Sequence, residues 1–337
     1  MRHLVSLRRT ALSLALLTFA GSALAETITV YTAYEEDEAA AFLTEAKKAM
    51  PDLDIQMLRL STGDLVARIL SEQANPRHDV IWGMAASSMV DPRISATLAP
   101  YQPKGIDSVP KQFRDPKGKW FAVTGYMAAF CVNNERLKQK GLPMPTSWKD
   151  LTAPAFKGEV VMPNPASSGT GYVQIASLLQ MMGPEKGWTF LDALDKNVAQ
   201  YIKSGSRPCN VASSGEYTVG ISYDLRAIKN IAEGYPITMV IPSEGAGNEL
   251  EANGLVAASK HQEAAKRFLD WTVSPAAANA YYKWKAIVTI PGGEMPKNFR
   301  DAGLPADVSK VLYPVDFAKA GAERADIIST WQKKYER

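Results

Sequence analysis

The chain has 337 residues, with 38 Lys and Arg against 35 Asp and Glu and a formal net charge of +3. Hydrophobic residues make up 46% and charged residues 22%, which excludes a disordered or fibrous chain. The length suffices for two lobes of ordinary domain size, each with its own core.

Residues 1–25 read as a secretory signal: Arg2, Arg8 and Arg9, an apolar run over 11–20, then Ala23-Leu24-Ala25 as a small-residue cleavage site. Cleavage before Glu26 removes three arginines and leaves 35 basic against 35 acidic side chains, so the mature chain is expected to be formally neutral. A neutral chain argues against nucleic-acid binding, which needs a basic face. The apolar run is shorter than the roughly 20 residues that span a bilayer, so an exported periplasmic protein is expected rather than an anchored one.

From Glu26 strands and helices alternate, the pattern of an α/β fold. Strands are expected over 27–33, 54–60 and 79–82, with helices after the acidic start at Glu35 and after the capping run Ser61-Thr62-Gly63-Asp64. Further strands are expected over 125–133, 160–162, 217–223, 237–241 and 253–257. Helices are expected through Met182, over 262–273 and from about Ala318 to Tyr335. Cys131 and Cys209 make one disulfide the expectation in an oxidising compartment, with two small buried thiols as the alternative.

Several chemistries lack their residues. The mature chain has only His78 and His261, in unrelated contexts, and no HExxH, paired CxxC or Cys/His cluster, so no metal site is expected. The G-x-S-x-G turn, the Walker loop and G-x-G-x-x-G are missing, so no enzyme and no cofactor is expected. Polar loops after strands remain: 31–36, 61–64, 83–88 and 165–171. Ser61 and Thr62, with Ser167, Ser168 and Thr170, bring hydroxyls to helix starts, where free amides suit a tetrahedral oxyanion. Tyr31, Tyr34, Tyr126 and Tyr223 stand at strand ends, with Glu35, Asp224 and Glu244 among the nearby acids.

The stretches TITVYTAYEEDE, DVIWG, PTSWKDLTAPAFKGEVVMPNPASSGTGY, GEYTVGISYD and EAAKRFLDWTVSPAAANAY resemble the solute-binding proteins of ABC importers. Within that family they are similar to the branch holding ferric-iron, hexose-phosphate and 2-aminoethylphosphonate binders. The resemblance implies an α/β, two-lobed periplasmic-binding-protein fold (type 2, Venus flytrap) with two crossover strands, near Tyr126–Phe130 and Ala252–Val256. Lobe 1 would comprise 26–128 and 255–337, and lobe 2 would comprise 129–254, with ligand held between them. It also implies a permease and its ATPase as partners, a monomer, and transport without chemistry.

Iron binders of this branch use an adjacent tyrosine pair where this chain has Ile221-Ser222-Tyr223-Asp224-Leu225, a single Tyr. A phosphonate, with 2-aminoethylphosphonate foremost, is therefore expected ahead of ferric iron or a sugar phosphate. Ser61, Thr62, Ser167, Ser168 and Thr170 would hold the anionic end. Asp224, Glu35 or Glu244 would take the amine, flanked by Tyr34, Tyr126 and Tyr223, with Tyr31 nearby.

Overall fold

The β-branched run Thr27-Ile28-Thr29-Val30, with Thr32, forms β1 (Glu26–Thr32), followed by α1 (Glu36–Ala49), β2 (Leu53–Arg59), α2 (Thr62–Ser71) and β3 (Val80–Ala85). Two single-turn helices, α3 (Ala86–Met89) and α4 (Pro92–Ser95), lead to β4 (Leu98–Ala99) and the long β5 (Phe121–Asn133). There follow α5 (Asn134–Lys140), β6 (Val160–Pro163), α6 (Gly169–Met182), α7 (Pro184–Asp195), β7 (Val198–Ile202) and α8 (Arg207–Ser213). Next come β8 (Val219–Tyr223), α9 (Asp224–Ala232) and β9 (Ile237–Val240). The chain returns through β10 (Asn248–Val256), α10 (Gln262–Thr272), α11 (Pro275–Tyr282) and β11 (Ile287–Val288). It finishes with α12 (Lys297–Asp301), α13 (Phe317–Ala322) and α14 (Arg324–Tyr335). The structure, a computed structural model, describes residues 26–336, so the expected signal segment lies outside the described residues. No described helix is long and apolar enough to cross a membrane.

Two sheets share one strand. In the first, β1 lies between β2 and β3 with all three parallel, and β10 runs antiparallel between β3 and β5. In the second, β8 and β9 flank the far half of β5, β6 pairs parallel with β8, and β7 pairs parallel with β6. The change of partner is abrupt: Met127 pairs with Asn248 of β10, and Ala128 pairs with Tyr223 of β8. β10 belongs to the first sheet from Asn248 onward, so the chain recrosses near Gly247, whose carbonyl accepts from the Ala128 amide at 2.7 Å. That is earlier than Ala252–Val256, because Glu249 and Glu251 pair in the ladder despite their charge. The fold is thus the mixed α/β two-lobed type.

Each sheet carries its own core. Around the first, Phe42, Trp82, Phe268, Trp271 and Tyr281 are buried together, with Phe42 edge-on to Tyr281 at 4.9 Å between ring centroids. Around the second, Phe130, Trp148, Phe156 and Tyr172 pack with Ile327, Trp331 and Tyr335 of α14. The expected last helix is two, α13 and α14, which meet at Glu323. α13 packs on both α3 and α6, and α14 packs on α6. Cys131 of β5 and Cys209 of α8 form a disulfide beside the second sheet, with their Cα atoms 5.2 Å apart. Joining positions 78 residues apart removes unfolded-state entropy worth about 4.5 kcal/mol.

Candidate ligand-binding cleft

Where the two sheets meet, a polar cavity of about 40 Å³ is bordered by residues from both sides. From the first come Glu35, Glu38, Arg59, Ser61, Thr62, Gly83, Glu251 and Lys285; from the second come Ser168, Gly169, Thr170, Gly205 and Tyr223, with Tyr126 on the shared strand. The N-termini of α2 and α6 both border it. Ser61 ends the β2–α2 turn in extended conformation at the N-cap, yet its hydroxyl makes no capping bond. Ser168 does cap: its Oγ accepts from the Gly171 amide at 3.2 Å.

The two sides touch around the cavity. The Gly63 amide donates to the Ser167 carbonyl at 2.8 Å, and the Tyr223 hydroxyl donates to Glu35 Oε1 at 3.2 Å. Glu35 also pairs with Arg59 at 3.1 Å. Lys229 of α9 pairs with Asp37 of α1 and lies 5.8 Å from the Trp284 ring centroid. The arrangement is a closed cleft.

The structure brings Glu35, Ser61, Thr62, Tyr126, Ser168, Thr170 and Tyr223 together at the cavity. Five other expected residues do not border it. Tyr31 stacks on His78 at 4.2 Å and donates to Glu72 at 2.8 Å, which fixes α2 to the sheet. Tyr34 is fully buried, shares a 2.7 Å hydrogen bond with Thr124, and packs edge-on to Trp82. Ser167 donates its hydroxyl to the Lys203 carbonyl at 3.0 Å. Asp224 accepts from the Met127 amide at 3.2 Å, serving the backbone where β5 changes partner. Glu244 accepts from the Trp148 and Lys149 amides at 3.0 and 3.1 Å, closing a turn elsewhere on the second side.

Four charged residues at the cavity are absent from the sequence reading: Glu38, Arg59, Glu251 and Lys285. Lys285 Nζ lies 2.7 Å from Glu251 and 3.0 Å from Glu38, and all three side chains are buried. Glu38 is joined to the backbone as well, accepting from the Glu35 amide at 2.9 Å. The available signal was two acids, Glu249 and Glu251, inside a strand whose other residues are mostly apolar or small. Nothing in Lys283-Trp284-Lys285 marks the second lysine as the buried one.

Burial dominates the electrostatics. It raises Glu38 to about 7, with Lys285 opposing and Glu251 reinforcing the shift. Desolvation likewise raises Asp224 to about 6 and Glu249 to about 7. Burial also pushes the Tyr126 and Tyr223 phenols well above their ordinary value, with the charges of Glu249 and Glu35 respectively adding to it. For Lys285 burial acts to lower the value, but the charges of Glu251 and Glu38 outweigh it, so the ammonium stays protonated. Among the described residues, no group of three or more His, Cys, Asp or Glu is set to hold a metal ion.

Residues 79–306 match the family model described as bacterial extracellular solute-binding protein. An uncharacterized protein of Haemophilus influenzae is 32% identical over 287 residues, covering 83% of this chain and 82% of that one. A Sinorhizobium fredii protein named as a probable ABC transporter periplasmic-binding protein is 26% identical, covering 80% of this chain and 76% of its own. The solved periplasmic binding protein AfuA from Actinobacillus pleuropneumoniae, with fructose-6-phosphate bound, superposes with a TM-score of 0.84 at 30% identity. That match covers 92% of this chain and 99% of the other. The chain belongs to the bacterial extracellular solute-binding protein family.

Proposed function

We propose that this protein is the periplasmic receptor of an ABC importer, capturing a small amine-bearing phosphonate between its lobes and delivering it to a permease. 2-Aminoethylphosphonate is the foremost candidate. One observation carries the reading: the N-termini of α2 and α6 border one cavity from opposite sides, each with a hydroxyl pair, Ser61 with Thr62 and Ser168 with Thr170. Helix N-termini and hydroxyls stabilise a tetrahedral anion without a counter-charge of their own, and Arg59 at the same cavity is already paired with Glu35. A ligand touching both termini holds the closed form, because only that form offers both at once. The likeness to a sugar-phosphate-bound relative supports a phosphorus oxyanion as the shared element.

The moving bodies in this reading are the group around β1–β4 with α10 and α11, and the group around β6–β9 with α14. The protein works as a monomer and performs no chemistry on its cargo. A ferric-iron reading draws on Tyr126 and Tyr223, whose rings lie 5.5 Å apart at the cavity beside Glu35. It ranks second because the adjacent tyrosine pair used by iron binders of this branch is reduced here to the single Tyr223.

Isothermal calorimetry on the chain beginning at Glu26 tests the reading, with 2-aminoethylphosphonate, fructose-6-phosphate and ferric citrate as titrants. Tight binding of the phosphonate, abolished by Thr170→Ala, is expected. Heat from ferric citrate alone, or from fructose-6-phosphate alone, overturns the choice of ligand.

A further inference from the structure

The cluster of Glu38, Glu251 and Lys285 does not balance. Each side chain is at most 6% exposed, and two carboxylates share one ammonium. Glu251 spends its second oxygen on the Thr124 hydroxyl at 2.6 Å, and Lys285 Nζ lies 4.9 Å from the Tyr34 ring centroid. Glu38 Oε2 lies 3.0 Å from Lys285 yet has no aligned hydrogen-bond donor, and it is buried. Glu35 is already matched by Arg59 and Tyr223. Above about pH 7, where Glu38 is ionised, the uncancelled negative charge at the cavity therefore belongs to the pair Glu38 and Glu251.

A surplus charge held in a buried cavity favours whatever brings the missing positive charge. A ligand ammonium beside Glu38 and Glu251 makes two cations against two carboxylates, and it offers donors to an acceptor that lacks one. A hydroxyl brings a donor without charge, and a methyl brings neither. We infer that the Glu38–Lys285–Glu251 cluster is the specificity element of the cleft, selecting a ligand with a primary ammonium over its hydroxyl or methyl counterpart. The inference rests on the reading that the ligand's anionic end lies at the helix N-termini. Lys285 holds the two carboxylates together while the cleft is empty, and the ligand completes the set.

The test is calorimetry at pH 8 with 2-aminoethylphosphonate, 2-hydroxyethylphosphonate and ethylphosphonate on the wild type, Glu38→Gln and Glu251→Gln. The wild type is expected to favour the amine by about tenfold or more, the scale of one hydrogen bond to a charged group. Either Gln variant removes the surplus charge, so the preference for the amine over ethylphosphonate, read as a ratio within each variant, should fall to about threefold or less. Equal binding of all three by the wild type, or an undiminished preference in both folded variants, overturns the inference and leaves the anionic-end reading intact. Binding of none of the three by the wild type overturns that reading, and the inference with it. Thermal unfolding checks each variant; if neither folds, the wild-type ratio alone decides.

Discussion

The Gly63 amide donates to the Ser167 carbonyl at 2.8 Å, so the first turn of α2 meets the loop before α6 backbone to backbone across the cleft. No side chain fits there. A Cβ on Gly63 would lie 2.7 Å from Ser167 Cα, and one on Gly169 would lie 2.6 Å from Thr62 Oγ1. Two glycines on opposing helix starts let the termini approach closely enough to share a small ligand.

Gly63→Ala should therefore act on closure rather than on folding. Ligand affinity is expected to fall by about tenfold or more, with the unliganded melting temperature within a few degrees of wild type. Calorimetry, thermal unfolding and small-angle scattering with and without ligand read the three quantities. Wild-type affinity and compaction in this variant would show that the contact is not part of the bound form.

The rim pair Lys229–Asp37 should contribute modestly. Lys229 is 29% and Asp37 34% exposed, so solvent screening limits the pair to about 1 kcal/mol or less, roughly a fivefold change in affinity at most. Asp37→Asn is expected to weaken binding by that order and to flatten its dependence on salt. Because Lys229 sits over Trp284, Lys229→Met should also shrink the tryptophan emission change on ligand addition. An unchanged salt slope in Asp37→Asn and an unchanged emission signal in Lys229→Met would remove the rim from the account of closure.

Acid stability should depend on Glu159. Burial opposes its ionisation, but bonds from Arg136 at 2.6 Å, Thr218 at 2.7 Å and Lys140 at 2.9 Å outweigh that and bring it to about 2. The folded value lies below the ordinary 4.5, so the unfolded chain binds more protons in between. The stabilisation is complete above about 4.5 and is lost as pH falls toward 2. Glu38 works in the opposite sense. Raised to about 7, it favours the native state most below about 4.5, and that contribution declines as pH rises through 7. Melting temperatures from pH 3 to 8 should show a shallower acid limb in Glu159→Gln and a shallower neutral limb in Glu38→Gln. Curves parallel to wild type in both variants would contradict these assignments.

Local chemistry made much of this readable. Ser168 stands before its helix as a capping serine, Ser61 holds the N-cap position without a capping bond, and both positions fall at the cleft because they follow the ends of β2 and β6. Tyr126 and Tyr223 were legible as strand-end aromatics, but so were Tyr31 and Tyr34, and strand position alone does not say which ring faces the cavity. Glu35 reaches the cavity, but the other two candidate acids, Asp224 and Glu244, do not, for a related reason. Asp224 follows a strand as expected, yet the partner change in β5 claims its carboxylate for the Met127 amide. Glu38, Glu251 and Lys285 come from three separate parts of the chain and meet only when α1, β10 and the segment after α11 pack together. Their pairing is a property of the packing, and no spacing in the chain encodes it.

The placement of α14 has a practical side. Trp331 and Tyr335 anchor the end of the chain in the core around β6 and α6, while β1 at the start is fixed between β2 and β3. The two ends of the described chain are therefore fastened to opposite jaws. If the jaws close on a solute as proposed, the end-to-end separation changes, and a donor dye at Glu26 with an acceptor at Glu336 would turn occupancy into an energy-transfer signal. On that reading the fold itself couples binding to readout, with no added linker.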